Sequence, residues 1–191
     1  MSTGTDLEPE FSVLTVCTGN ICRSPAVERL LAASLGPTVS VGSAGTQAMV
    51  GQPVSPPMVP LVEAEGASTA GFAARQLTEQ LIRPAGLVLA MTRAHRGAVV
   101  EIWPGAVRRT FTLREFARLL EGVDPAALPT GSVAERLRAA IPLAAGQRGR
   151  VKVAPADDDV IDPYRRGDET YAQSFAQLLP AVQTIARIIA G

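Results

Sequence analysis

The chain is poor in histidine, in cysteine and in surplus charge. His95 is the only histidine, and Cys17 and Cys22 are the only cysteines. The usual Cys/His ligand sets of metal sites are therefore hard to assemble, and no metal is expected. Two cysteines within one short segment are no framework for stapling a secreted domain. Basic and acidic side chains, 18 of each, cancel to a formal net charge of zero. That balance favours neither nucleic acid nor an acidic membrane surface as a partner, so any anion site must be local. No uninterrupted apolar run approaches the ~18 residues of a membrane span, and MSTGTDLEPE lacks the basic-then-apolar order of a secretory signal. These absences lead to the expectation of a cytoplasmic protein: a mobile leader over residues 1–10, then a single domain over 11–191.

Over 191 residues, a hydrophobic share of 47% against 19% charged is enough to bury a sizeable core. Ser12 to Val16, Val39 to Val41, Leu87 to Met91 and Arg109 to Thr112 read as strands, with helical stretches at 25–35, 56–65, 93–100 and 114–121. Strand and helix in alternation require crossover connections, which predicts an α/β fold: a doubly wound, four-stranded parallel sheet with helices on both faces. The first helix carries an apolar stripe of Val27, Leu30, Leu31 and Leu35, stops at Gly36 and Pro37, and has Ser24 placed as an N-cap before Pro25. Residues 122–156, with Pro125, Pro129, Pro142 and Pro155, read as an extended insertion. Within it, Ser132 and Glu135 have capping-box spacing and open a short helix with Leu137 and Ile141 inward. A last helix from Asp168 to about Ala190 buries Phe175, Leu178, Leu179, Val182 and Ile185, and Pro180 is expected to kink it.

Ligands of such sheets sit beyond the carboxyl ends of the strands, and Cys17 follows the first strand directly. From Cys17 to Arg23 the chain can curl so that successive backbone N–H groups converge, with Gly19 and Asn20 tolerating positive φ. The following helix adds the positive end of its dipole. Together they form a cradle for a tetrahedral dianion. Arg23 supplies a planar fork for two of its oxygens, and the same positive field suits a nucleophilic thiolate at Cys17. An isolated Cys-x5-Arg also describes core packing beside a surface charge. The buried strand before it, Gly-Asn within it and Ser-Pro after it are what favour the chemical reading.

VCTGNICRSP, residues 16–25, resembles the phosphate-binding loop of the low-molecular-weight protein tyrosine phosphatases, and IDPY at 161–164 resembles their acid loop. SAGT at 43–46, ARQLT at 74–78 and FTLREFARL at 111–119 are further matches. The resemblance spans 11–121 and 160–189. It implies Cys17 as the nucleophile toward a phosphomonoester and Arg23 as the clamp on its equatorial oxygens. It implies Asp162 as the acid that protonates the leaving phenolate and then the base that activates water. From composition alone Asp162 does not stand out from Asp157, Asp158 and Asp159; Pro163, which stiffens the end of its loop, favours it. Thr18, Gly19, Asn20, Ile21, Cys22, Ser24 and Tyr164 are implied as the substrate-contacting set, Ser24 also as a donor to Cys17. Asn20 and Ser43 are implied as the pair holding the loop in shape, with Asn20 left-handed, and Cys22 as partner of Cys17 in a protective reversible disulfide.

The implied substrate is a tyrosine-phosphorylated protein, and the implied cofactor requirement is none. Met49 and Val50 hint at an apolar wall. Two departures bear on loop rigidity: Phe72 stands where many relatives carry a histidine bonded to the loop asparagine, and Gly86 where an aspartate is common. Two other functions remain open on the residues. One is an arsenate reductase using an external small thiol, since no cysteine follows Cys22 to relay a disulfide. The other is a non-catalytic phosphate-recognition module, which has no use for an acid such as Asp162.

Overall fold

Alternation along the first strand sets the layers in the computed structural model, which describes residues 9–150 and 153–191. Within β1 (Phe11–Cys17), Val13 and Cys17 join one apolar cluster while Leu14 and Val16 join another, as period-two side chains on a sheet must when both faces are covered. β2 (Val39–Gly45) and β3 (Leu87–Ala90) flank β1, and β4 (Thr110–Thr112) lies outside β3, giving the order β2-β1-β3-β4 with every pairing parallel. Helix α1 (Arg23–Leu35), α5 (Leu113–Glu121), α6 (Val133–Gly146) and α7 (Asp168–Ala190) bury their apolar stripes in the larger cluster. Ile82 of the short α3 (Glu79–Ile82) and Val99 of α4 (Arg93–Ile102) join the smaller cluster on the opposite face. The expected doubly wound sheet is present.

This order has a functional consequence. The chain leaves β1 toward β2 on one side and returns to β3 on the other, so the crevice at the carboxyl ends of β1 and β3 is the topological switch point. Register aligns Cys17 with Gly45, and Val16 with Ala90, at that end.

Several elements differ from the sequence expectation for identifiable reasons. β2 runs on to Gly45 because Ser43, Ala44 and Gly45 pair with Thr15, Val16 and Cys17, a stretch too small and polar to read as a strand. Residues 56–65 divide into a 3-10 turn, Pro56–Met58, and α2 (Val59–Ala64). α3 is too short to show periodicity. Helix α1 begins at Arg23 with Cys22 at its N-cap and no side-chain cap; Ser24 lies inside the first turn and its hydroxyl bonds elsewhere. α7 continues through Pro180, which stands on its exposed side. The Ser132–Glu135 capping box forms as expected, with both reciprocal bonds present, but the helix it opens runs to Gly146 and leaves Ile141 only half-buried.

Gly86 packs against the Phe11 ring: a Cβ there would come within 2.5 Å of it, so an aspartate would require the ring to move. Residues 1–8 of the expected leader, and 151–152 within the expected insertion, lie outside the described residues. The rest of the 122–156 segment shares the core, since Leu137 is fully buried in the cluster that α5 and α7 also form. We propose that it folds cooperatively with the sheet as one domain. Leu137→Ala should then lower global stability by about 2–5 kcal/mol, in one urea transition; a separate low-stability transition would count against that unity.

Candidate active site

The loop between β1 and α1 has its peptide groups turned in one sense. The carbonyls of Cys17, Thr18, Gly19 and Ile21 point outward and accept bonds from Thr46, Gln47, Met49 and Ser55 at 2.7–3.0 Å. Among the described residues, no amide from Thr18 to Cys22 donates to a protein acceptor. Carbonyls turned out leave N–H groups turned in, which is the concave arrangement that holds an anion. The chain beyond β2 can approach this closely only because residue 45 is glycine. A Cβ there would meet the Thr18 carbonyl oxygen at 2.4 Å and the Asn20 Cβ at 3.0 Å.

Asn20 holds the curl from below. It is fully buried and left-handed at φ 54°, whereas Gly19, expected to share that conformation, is not among the positive-φ glycines. The Asn20 amide donates to Ser24 Oγ at 2.9 Å and to Ser43 Oγ at 2.7 Å, and its carbonyl accepts from the Arg75 amide at 2.9 Å. Ser43 in turn donates to Glu28. The network is thus complete without a histidine at position 72, where Phe72 instead lies under the Arg29 guanidinium. Ser24 Oγ accepts from Asn20 and lies 3.0 Å from Cys17 Sγ, so its own proton is free to point at the sulfur.

Arg23 is 3% exposed. It donates through Nη1 to the Val160 carbonyl at 3.0 Å and pairs through Nη2 with Asp162 at 2.8 Å, while its buried Nε–H has no acceptor. An arginine this enclosed with a donor unmatched fits an anion seated against it. Asp162 is half-exposed, and its other oxygen accepts from the Tyr164 amide at 3.1 Å. Its loop is pinned on one side by Val160 bonding to Met91. On the other side, Gln177 and Ser174 of α7 bond the Ile161 amide and carbonyl.

These parts meet in a cleft of about 360 Å³ whose lining includes Cys17, Ile21, Arg23, Met49, Asp162 and Tyr164. Thr18, Gly19 and Cys22 also reach it. The side chains of Asn20, Ser24 and Ser43 are fully buried beneath the loop instead, so they support it rather than line it. Val50 is absent from the lining and 66% exposed. No group of three or more potential metal ligands occurs among the described residues.

Cys22 and Cys17 are both free thiols. Burial pushes the Cys22 thiol up, against the Tyr171 and Ser55 hydroxyls that pull it down. Tyr171, 3.6 Å from Cys22 and 2.8 Å from Ser55, is pushed by burial up to about 12. Both groups therefore stay neutral around pH 7.

His95, noted in the sequence only for excluding a metal, proves to be part of the site. Its Nε2 lies 2.9 Å from Thr18 Oγ1 and its Nδ1 2.9 Å from Thr92 Oγ1. Thr92 caps α4; a Thr three residues before a histidine after an apolar strand was the available signal. Burial and then the Arg23 charge push His95 down to about 4, against the pull of Asp162 and Asp159. The ring is therefore neutral at pH 7.

A family model described as low molecular weight phosphotyrosine protein phosphatase matches residues 12–126. The chain is 40% identical over 114 residues to the low molecular weight protein-tyrosine-phosphatase Etp of Escherichia coli K12, covering 60% of this chain and 76% of that protein. It is 38% identical over 130 residues to a protein-arginine-phosphatase of Geobacillus stearothermophilus, covering 68% and 86%. Among solved structures, the tyrosine phosphatase AmsI of Erwinia amylovora superposes with a TM-score of 0.69 at 26% identity, covering 94% of this chain and 93% of that one.

Because the folded value of His95 is depressed, the unfolded chain takes up a proton first as pH falls. The histidine's contribution is then complete above pH ~6.5 and is lost on descent toward about 4. Wild type should lose about 3 kcal/mol more unfolding free energy than His95→Asn between pH 7 and 4, measured by urea denaturation. Equal losses would show that burial does not hold the ring neutral.

Proposed function

The chain belongs to the low molecular weight phosphotyrosine protein phosphatase family, and from that premise we propose how its own residues divide the work of hydrolysing an aryl phosphate ester. The family reaction passes through a cysteinyl phosphate, and its substrates are phosphoproteins. A phosphoryl dianion entering the loop meets the inward amides and the Arg23 guanidinium, and it competes with Asp162 for Nη2. Asp162 is thereby released, takes up a proton from solvent and turns toward the leaving oxygen. Cys17 Sγ attacks phosphorus, the S–P bond forms as the P–O(aryl) bond breaks, and Asp162 delivers its proton to the phenolate. In the second half Asp162 takes a proton from water, the water oxygen bonds phosphorus, and the S–P bond breaks to release phosphate. Ser24, as donor to Sγ, stabilises the departing sulfur. Thr18 is positioned by His95.

The observation that supports this reading best is one cleft holding a nucleophile, a set of unmatched donors and an Arg23-paired carboxylate. The wall of Ile21, Met49 and Tyr164 suits a planar aryl ring. The cleft offers no carboxylate other than Asp162, and Asp162 is already paired with Arg23, so nothing in it answers a second guanidinium. Phosphotyrosine is therefore favoured over phosphoarginine, the class named for the Geobacillus relative. Thiol-dependent arsenate reduction and silent phosphate binding leave the Asp162 loop without a task.

The test is a leaving-group series. Asp162→Asn should lower kcat by about 10²–10⁴-fold on phenyl phosphate, and much less on esters whose phenolate leaves unaided. Cys17→Ser should abolish turnover of both. A uniform loss across the series would remove Asp162 as the acid, and faster turnover of a phosphoarginine peptide than of a phosphotyrosine peptide would reverse the substrate assignment.

A further inference from the structure

A cavity of about 550 Å³ that shares no lining residue with the Cys17 cleft is lined by Arg93 and Arg96 of α4, Arg118 and Glu115 of α5, Arg148, and Asp158. Four guanidinium groups face two carboxylates. Both carboxylates are already neutralised: Glu115 accepts from Arg96 at 3.0 Å and Arg148 at 2.9 Å, and Asp158 from Arg118 at 2.7 Å. Glu115 also accepts from the Thr112 amide. The excess positive charge is therefore uncompensated from within.

Donors remain as well. The Arg93 guanidinium has no acceptor among the described residues, Arg96 bonds through Nη1 alone, and Arg118 bonds through Nη2 with its buried Nε–H unmatched. Of these donors the Arg118 Nε–H is buried, while those of Arg93 and Arg96 are open to solvent and available to an entering anion. Arg148 shows what a satisfied member looks like: it stacks 4.2 Å over Phe111 and bonds the Thr110 carbonyl and Glu115. The volume is that of a small-molecule site, well above what a bare anion needs.

The cavity is also tied to the loop of Asp162. Arg118 holds Asp158, the Arg93 amide donates to Asp159 Oδ1 at 2.7 Å, and Arg114 holds the Asp159 carbonyl at 2.9 Å. A dianion drawing Arg118 toward itself loosens its grip on Asp158, four residues before the proposed acid. We infer that this arginine-lined cavity is a second anion site, made for a phosphorylated small molecule, whose occupancy shifts the loop carrying Asp162. The coupling, though not the site, rests on the role proposed for Asp162.

Sulfate, at constant ionic strength, is the first probe. Calorimetric titration should count two sulfates per wild-type chain and one in Arg93→Ala/Arg96→Ala, a pair that leaves Glu115 bonded to Arg148 and Thr112. The single Arg93→Ala variant, which removes no internal side-chain bond, should weaken the second sulfate and so guards against a folding artefact. In turnover, sulfate at the catalytic loop raises KM only, whereas the second site should change wild-type kcat by about fivefold, an effect absent from the double variant. An alkyl phosphate monoester should bind the second site about tenfold more tightly than sulfate. One sulfate in wild type, or two in the double variant, overturns the site. An unchanged kcat overturns the coupling, and equal affinity for sulfate and the alkyl ester overturns the small-molecule assignment. Calorimetry does not need turnover, so an inactive protein would sink the catalytic roles while the sulfate count still decided the site.

Discussion

The buried side chain of Asn20 is the constraint from which the catalytic end of this molecule follows. A seven-residue turn with its carbonyls outward and its amides inward is an unfavourable shape for the free chain, because the inward N–H groups lose their acceptors. The shape persists because both ends of the Asn20 amide are tied down, to Ser24 and Ser43 on one side and to the Arg75 amide on the other. The same bonds decide proton positions. With Ser24 accepting from Asn20, the serine hydroxyl is left to face Cys17, so the group that fixes the backbone also orients the donor on the sulfur.

The sheet places this loop where it can be used. A strand order that reverses between β1 and β3 opens a crevice at the carboxyl ends, and segments from both sides meet there: the β2 extension through Gly45 and the Met91-bonded acid loop. Two apolar clusters, one on each face, cover the strands that bring these segments together. Arg23, at the end of the Cys17 loop, ties that loop to the segment carrying Asp162, since one guanidinium reaches both the Val160 carbonyl and Asp162.

What was legible in the sequence follows from how local each feature is. The strand, loop and helix from 11 to 35 carry their signals in consecutive residues, and the Ser132–Glu135 capping box is a four-residue motif; both could be read. The role of Ser24 could not be read as a cap or as something else from its neighbours, because the competing partners, Cys17 and Asn20, win only in three dimensions. β2 beyond Val41 was hidden because its small residues, Gly42 to Gly45, become a strand through pairing with β1, not through their own propensity. His95 carried only the faint local signal of a threonine three residues earlier, since its contact with Thr18 spans 77 positions. Asp162 needed the resemblance: on composition it did not stand out from three other aspartates nearby, with Pro163 alone favouring it, and the structure pairs it with Arg23. The arginines at 93, 96, 118 and 148 read as scattered surface charge, and only the packing of α4, α5 and the 148–158 segment collects them.

The acid loop is held from two sides that differ in kind. Toward the sheet, its bonds run to main-chain atoms and to Arg23, groups whose geometry is fixed by the fold. Toward the arginine cavity, the bonds from Arg118 and Arg114 come from side chains that can rotate, and Arg118 is only partly buried. The loop is anchored at Val160 by Met91 and at Ile161 by Gln177 and Ser174, while its Asp158 end is held by Arg118, so on the proposed coupling a displacement at Asp158 reaches Asp162 through the intervening main chain. Arg148, Gly149, Val153 and Pro155, in the stretch that reads as an insertion, thus line the cavity whose Arg118 holds Asp158, four residues before the proposed acid.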